Sequence, residues 1–443
     1  MKKRVKKAAA VFMVAAMTVS MAACGSGGGS ESNNTTTDQT TGGDNEIIFW
    51  NIGTEEVDKA IYDKAIEVYH ETTDSEYTIA SVPVQNDTYK EKLIIAMSSG
   101  ECPDMYTSWT GGPMNEYIES GYAQPITELF NNSELPDRIM DGAIAQASYE
   151  GEIYAVPFMN VALSGFYYNK EIFDEYDLEV PETVNELEVV CDKLVENNIT
   201  PFALANSPKW TGSMYFMNLA ARSGGLEPFN EAVAGTGTFE SESFVYAGDK
   251  IIEWTEKGYF PEGVNSLSED DGQARQLLYQ ESAAMILGGS WYTATIKQDS
   301  EEFYEKMGWF TFPIIEGSDA DSTIMIGTVG DNFISFNCEG GKLEAAFECA
   351  TKFSEEEVVE FMTESGKIPP IKGIEDKIED PINRQVIEAA NAASSIQLWY
   401  DQYLPPAVSQ VHLDTSQELF GLTMTSAEAA KQLQQAMEEY LAE

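Results

Sequence analysis

Seven tryptophans stand in this sequence, and their neighbours divide them into two kinds. Trp109 lies in Thr107-Ser108-Trp109-Thr110-Gly111-Gly112, and Trp210 follows Lys209 in Asn206-Ser207-Pro208-Lys209-Trp210-Thr211-Gly212. Trp291 follows Gly288-Gly289-Ser290, and Trp399 precedes Tyr400-Asp401-Gln402. Small and polar neighbours cannot bury rings as large as Trp109 and Trp210, so these read as flat platforms for a ligand with an apolar face. Trp291, at a strand end, and Trp399, between Leu398 and Tyr400, are further candidates. Trp50 ends the first apolar run and Asn51 opens the loop behind it, where ligands of α/β sheets sit. A core indole at a strand end is the other reading of Trp50. Polar groups beside these rings could bind the rim of such a ligand: Asn51, Glu55, Thr110, Lys209, Asp331, Asn332 and Asp401. For Glu55 the alternative is a charge that favours the positive start of a helix. Trp254, on a helical pattern, and Trp309, inside an apolar strand, read as packing.

The motifs of common catalysts are absent. The two histidines, His70 and His412, are far apart, and no H-E-x-x-H, G-x-S-x-G or G-x-x-x-x-G-K-[ST] occurs. The acidic stretches Ser268-Glu269-Asp270-Asp271 and Asp319-Ala320-Asp321 lack the full calcium-loop pattern and read as solvated loops. No metal or cofactor is expected. With 74 acidic residues, two carboxylates flanking a cleft would suffice for a surface glycoside hydrolase, which stays an alternative. The formal net charge of −48 argues against nucleic acid and against binding to anionic lipid. No C-x-x-C pair exists; Cys191 sits among apolar residues, and a Cys338–Cys349 bridge is one open option.

The elements that must hold these residues alternate. Glu46 to Trp50 reads as a buried strand, and a helix follows with Val57, Ile61, Ala65 and Val68 on one face. Tyr77 to Val82 is a strand and Tyr89 to Met97 a helix closed by Gly100. Ile153–Pro157, Gly165–Tyr168, Ala283–Leu287 and Gly308–Phe312 read as further strands. Thr183 with Glu186, Ser354 with Glu357 and Thr425 with Glu428 have capping-box spacing at three helix starts. The last helix carries Ala429, Leu433, Met437 and Tyr440 on one stripe. This β-α alternation predicts an α/β fold.

The chain begins with Lys2, Lys3, Arg4, Lys6 and Lys7, then an apolar run too short to span a bilayer permanently, then Met21-Ala22-Ala23-Cys24. That junction resembles the bacterial lipoprotein cleavage box, with Met21 where Leu is usual. The resemblance implies a signal peptide over 1–23 and a lipid on the Cys24 sulfur. Residues 24–45 are Gly, Ser, Thr, Asn and Asp with almost nothing apolar, and read as a flexible tether.

Several pieces together resemble one family: Phe49-Trp50-Asn51; Lys92 to Gly100 with Pro103-Asp104 behind; Gly121-Tyr122-Ala123-Gln124-Pro125-Ile126; Gly151 to Pro157; Tyr167-Tyr168-Asn169-Lys170; and Gly288-Gly289-Ser290-Trp291. The set is similar, in order, to the extracellular sugar-binding proteins of ATP-binding-cassette importers, the maltose-binding-protein group. The resemblance implies a type II periplasmic-binding-protein-like fold of two α/β lobes around a ligand cleft. It also implies that Trp291 is a platform of that cleft and that Trp399 contributes to it. One lobe would hold 46–156 plus 313–366 and the other 157–312 plus 367–443, with Pro157, Pro313 and Pro369-Pro370 near the crossings. It implies a non-catalytic, monomeric receptor outside the cell membrane, anchored through Cys24. The receptor would pass a carbohydrate to permease subunits, with the ATPase on another chain. Several ring platforms favour an oligosaccharide over a monosaccharide; a non-sugar solute is the closer rival.

Overall fold

The computed structural model describes residues 45–442. The basic leader, Cys24 and the tether up to residue 44 lie outside the described residues. Two sheets of different composition organise the rest. The first runs Thr78–Pro83, Glu46–Asn51, Met105–Ser108, Asn332–Phe336, Ala155–Met159 across its width. Its first three strands are parallel, while Asn332–Phe336 runs antiparallel to both neighbours. The second runs Met307–Thr311, Gly165–Asn169, Ala283–Gly288, Thr200–Ala203, with one parallel pair. A small third sheet, Ile396–Gln397, Met325–Thr328, Ala162–Leu163, lies where the chain passes between them.

Local pattern explains most elements. Glu46–Asn51 alternates, with Ile47 and Phe49 buried in one core. Trp50 is half-buried against a second cluster that holds Tyr89, Leu93 and Trp109. Helix Glu56–Thr72 buries Val57, Ile61, Ala65 and Val68 and starts with Glu56 and Asp58 at its positive end. Helix Asn86–Ser99 stops at Gly100, whose φ of 79° puts it in the left-handed region; its N–H caps the Ala96 and Met97 carbonyls. Helix Val184–Glu196 has the full capping box: Glu186 N–H donates to Thr183 Oγ1 at 3.1 Å and Thr183 N–H to the Glu186 carboxylate at 3.1 Å. Thr425 and Glu428 form the same pair before helix Ser426–Ala442.

Four expectations change. Ser354 and Glu357 form no box: Ser354 Oγ donates back to the Thr351 carbonyl, and Glu357 turns to Lys64 at 3.4 Å. Tyr440 is 47% exposed, so the buried stripe of the last helix ends at Met437. Cys338 and Cys349 are free thiols, as are Cys102 and Cys191. The chain does not leave the second sheet at Pro313. Ile314 bridges to Thr183, and Ile324 and Ile326 pack in the core of the second sheet. Arg222 is the reason. Its buried guanidinium donates to the carbonyls of Phe312, Ser322 and Ile324, and burial lowers its pKa to about 10. The return crossing is therefore at residues 328–332. Trp254 is fully buried, as packing requires, and donates to Glu188 at 2.9 Å. Among the described residues no helix is long and apolar enough to cross a membrane.

Candidate functional site

Between the two sheets lies a cavity of about 330 Å³. One wall is aromatic. Trp291 is the first residue of helix Trp291–Asp299, directly behind the carboxyl end of strand Ala283–Gly288. Trp210 is likewise first in helix Trp210–Gly224. The Trp291 ring meets Trp210 edge-on at 5.8 Å and Trp399 at 5.9 Å. Gly289 makes room for it: a Cβ there would come within 2.1 Å of the Trp291 ring. Lys209, which introduces Trp210, has φ of 72°, a conformation that non-glycine residues rarely hold. Its ammonium reaches Asp414 at 2.6 Å.

The remaining walls are polar and charged. Asp331 is 8% exposed and accepts from the Trp399 indole and the Gln402 amide, each at 3.2 Å. Burial pushes its carboxyl up to about 6. Lys90 bridges to Asp401 at 2.9 Å and lies 4.8 Å above the Trp109 ring. Arg275, almost fully buried, gathers Glu55 at 3.0 Å, Glu269 at 2.9 Å and Asp299 at 3.0 Å. Tyr292 also donates to Glu269, whose carboxyl burial pushes up to about 7 against the pull of Arg275. Lys367 pairs with Asp58 at 2.6 Å. Two residues of the wall, Asp87 and Asp270, form a clasp. Asp87 N–H donates to the Asp270 carboxylate at 2.7 Å, and Asp270 N–H donates to the Asp87 carboxylate at 3.4 Å. Burial first, and then the facing Asp87 charge, push Asp270 up to about 6.

The cavity wall contains Glu55, Trp109, Lys209, Trp210, Trp291, Asp331, Asn332, Trp399 and Asp401 of the residues singled out above. It does not contain Trp50, Asn51 or Thr110. Asn51 spends its side chain within the sheet, donating to Ser81 on the neighbouring strand and accepting from Gly53 N–H at 3.0 Å. Thr110 is buried and donates to the Gln146 carbonyl. Trp50 packs beside Tyr89 and Trp109. Trp109 itself is 5% exposed and edge-on to Tyr89 at 5.6 Å, so its loop is backed by a core that its sequence neighbours do not reveal. The solvated reading of the Ser268–Asp271 stretch is also corrected: Glu269 is 5% exposed and faces Arg275. Missed altogether were Asn160, Gln402, Lys90, Arg275 and Lys367. Only Asn160 carried a local signal, as a polar residue in the apolar run around Met159 and Val161.

Most telling are the polar atoms left without partners. Asn160 Oδ1, Trp210 Nε1, Glu269 Oε2, Asn332 Nδ2 and Gln402 Oε1 are all buried, unpaired and on residues of this wall. An unpaired buried polar group costs about 1–3 kcal/mol, so such a cluster marks a place built for something else to bind.

The family model described as bacterial extracellular solute-binding protein matches residues 53–358. The multiple sugar-binding protein of Streptococcus mutans is 25% identical over 330 residues, covering 69% of this chain and 70% of that protein. An uncharacterized ABC transporter extracellular-binding protein of Pyrococcus horikoshii is 26% identical over 218 residues. That match covers 48% of this chain and spans about half of the relative, 46%. A structure solved in work on xylan utilization by the thermophilic bacterium Caldanaerobius polysaccharolyticus superposes with a TM-score of 0.82 at 28% identity. It covers 88% of this chain and 99% of that one. With two sheets around a central cavity and a family model that spans more than half of its length, the chain belongs to the bacterial extracellular solute-binding proteins.

Proposed function

We propose that this protein is a non-catalytic receptor that closes on a carbohydrate and hands it to the permease subunits of an ABC importer. The observation that carries the reading is the meeting of a three-tryptophan wall with unpaired amides and carboxylates. A pyranose has an apolar C–H face to stack on indoles and a rim of hydroxyls that both donate and accept. Trp210, Trp291 and Trp399 serve as platforms, and Glu55, Lys209, Asp331, Asn332 and Asp401 as rim contacts. The sugar-binding relative supports the same ligand class. Three platforms suit an oligosaccharide better than one ring.

Closure is the signal. Segments 46–159 and 332–362 form one lobe, and 162–328 with the C-terminal helices form the other. Ligand that touches both favours the closed form by its differential affinity. Lipidation at Cys24 holds the monomer on the outer membrane surface and raises its concentration near the permease. The Ser213–His412 contact at 2.7 Å is buried apart from the cavity wall and serves packing.

Thermal melting of the lipid-free protein against xylotriose, chitotriose, raffinose and maltotriose tests the reading. A binder at a hundredfold its Kd adds about 2.7 kcal/mol of apparent stability. Melting unmoved by sugars but shifted by a non-sugar solute would favour the rival receptor. Steady release of smaller sugars during incubation would instead indicate a glycoside hydrolase. Cys24→Ser should move the protein from the membrane fraction to the medium.

A further inference from the structure

Two of the segments by which the chain crosses between the sheets, residues 159–162 and 328–332, lie side by side. They meet at the end of the antiparallel ladder between Ala155–Met159 and Asn332–Phe336. The ladder slips register there, between Asn332 and Phe333. As a result Asp331 N–H faces two carbonyls, Met159 at 3.0 Å and Asn160 at 2.9 Å. Asn332 lies opposite Met159, and Asn160 is the next residue along the crossing. Bulges of this kind bend a strand and re-aim its side chains, and they recur beside binding sites.

Asn160 is held with φ of 59°, in the left-handed region that asparagine tolerates better than most residues. Its side chain does nothing to hold that conformation. It is 3% exposed, and its Oδ1 accepts no hydrogen bond. Asn332 is also 3% exposed, and its Nδ2 donates none. Both residues line the cavity. An acceptor without a donor and a donor without an acceptor therefore line the same cavity, and the two do not pair with each other. Hydroxyl groups can supply both missing halves, because each can donate and accept. Neither amide carries charge, so this part of the wall suits a neutral polyol edge better than a carboxylate or a phosphate.

We propose that the hinge crossing is itself a ligand subsite: sugar hydroxyls donate to Asn160 Oδ1 and accept from Asn332 Nδ2, fastening the ligand to the segment about which the lobes turn. The proposal rests on the carbohydrate reading above and adds to it a contact on the crossing strands. A ligand held there stabilises one backbone setting of the hinge directly, besides bridging the lobes through the tryptophans.

The test uses Asn160→Gly, Asn160→Asp and Asn332→Ala. The probe is whichever of xylotriose, chitotriose, raffinose and maltotriose raises the melting midpoint of the parent protein most. Glycine adopts the left-handed conformation without strain, so ligand-free Asn160→Gly should melt at or above the parent temperature. By calorimetry it should bind the probe about tenfold more weakly, the loss of one well-made hydrogen bond. Asn160→Asp keeps an acceptor and should stay within about threefold of the parent. Asn332→Ala should lose about tenfold. In a series of monodeoxy probes, one analogue should make Asn160→Gly and parent bind alike, which identifies the hydroxyl. Undiminished affinity in both Asn160→Gly and Asn332→Ala would overturn the subsite and leave the receptor reading intact. Failure of the parent to bind any of the four sugars would overturn both. A lowered melting midpoint with unchanged affinity would assign Asn160 a structural role only and also overturn the subsite.

Discussion

Replacing Asp331 with Asn takes one charge out of the cavity and little else. The carboxyl is 8% exposed, and its Oδ1 accepts from Trp399 and Gln402. Burial raises its pKa from 3.8 to about 6. The folded protein therefore holds this proton more tightly than the unfolded chain does. The group costs nothing below the unfolded value; the cost grows as pH rises from about 4 through about 6 and is complete above that. A rise of roughly two pKa units corresponds to about 3 kcal/mol. Asparagine keeps an Oδ1 for both donors and carries no charge. Ligand-free Asp331→Asn should thus gain up to about 3 kcal/mol at about pH 8, or roughly 3–4 °C for a chain of this length. The gain should fall away toward about pH 4, where the parent carboxyl is protonated. Scanning calorimetry across that range reads the difference. Sugar affinity should move the other way. A hydrogen bond to a charged acceptor is worth about 1.5–3 kcal/mol, so the variant should bind about ten- to a hundredfold more weakly near neutral pH. If the variant is less stable than the parent at about pH 8, or the gap between them ignores pH, then Asp331 is not a strained, ligand-directed charge and the reasoning fails.

Other perturbations separate site from scaffold. Trp291→Ala should lower affinity by about thirtyfold or more, because it removes the central platform. Its melting midpoint should hardly move, since the ring is only half-buried; a large drop would mean the ring is core. Arg275→Gln leaves Glu269 buried without its cation and should cost about 3–5 kcal/mol in urea unfolding, while a loss under about 1 would show that the network is dispensable. Thr183→Ala removes one capping box far from the cavity and should cost about 1 kcal/mol with no change in binding. Asp270→Asn keeps an acceptor for Asp87 N–H and relieves the repulsion between the facing carboxylates. X-ray scattering at about pH 8 should then show a more closed ligand-free protein than the parent, and an unchanged or more open profile would count against a clasp weakened by charge.

How far the sequence revealed this molecule depends on where each residue's partners lie. The Thr183–Glu186 box could be read because both partners sit within one turn, and both bonds form. The Ser354–Glu357 spacing is identical, yet Lys64 draws Glu357 away from a helix distant in sequence. Trp291 could be read as a platform because Gly289 must lack a side chain beneath its ring, and that constraint is two residues long. Trp109 looked equally bare, but helix Asn86–Ser99 supplies Tyr89 and Leu93 from elsewhere and buries it. Asn51 failed as a cavity residue because its amide is consumed before a ligand can use it, by Gly53 N–H nearby and by Ser81 on the neighbouring strand.

The charged half of the cavity lay beyond such reading altogether. Arg275 joins Glu55, Glu269 and Asp299, and only folding brings these carboxylates to one guanidinium. The acidic Ser268–Asp271 stretch reads as solvated until Asp87 N–H from another helix reaches Asp270. Ring size and glycine spacing mark where a ligand can stack. What a ligand must satisfy is defined by missing bonds, and a missing bond such as that of Asn160 Oδ1 exists only once every protein partner has been placed. Under the proposed function, specificity would reside in the crossing strands and the clasp, where pairing is long-range. Under that same function the tryptophans would supply affinity for many rings, and the unpaired amides and carboxylates would choose among them.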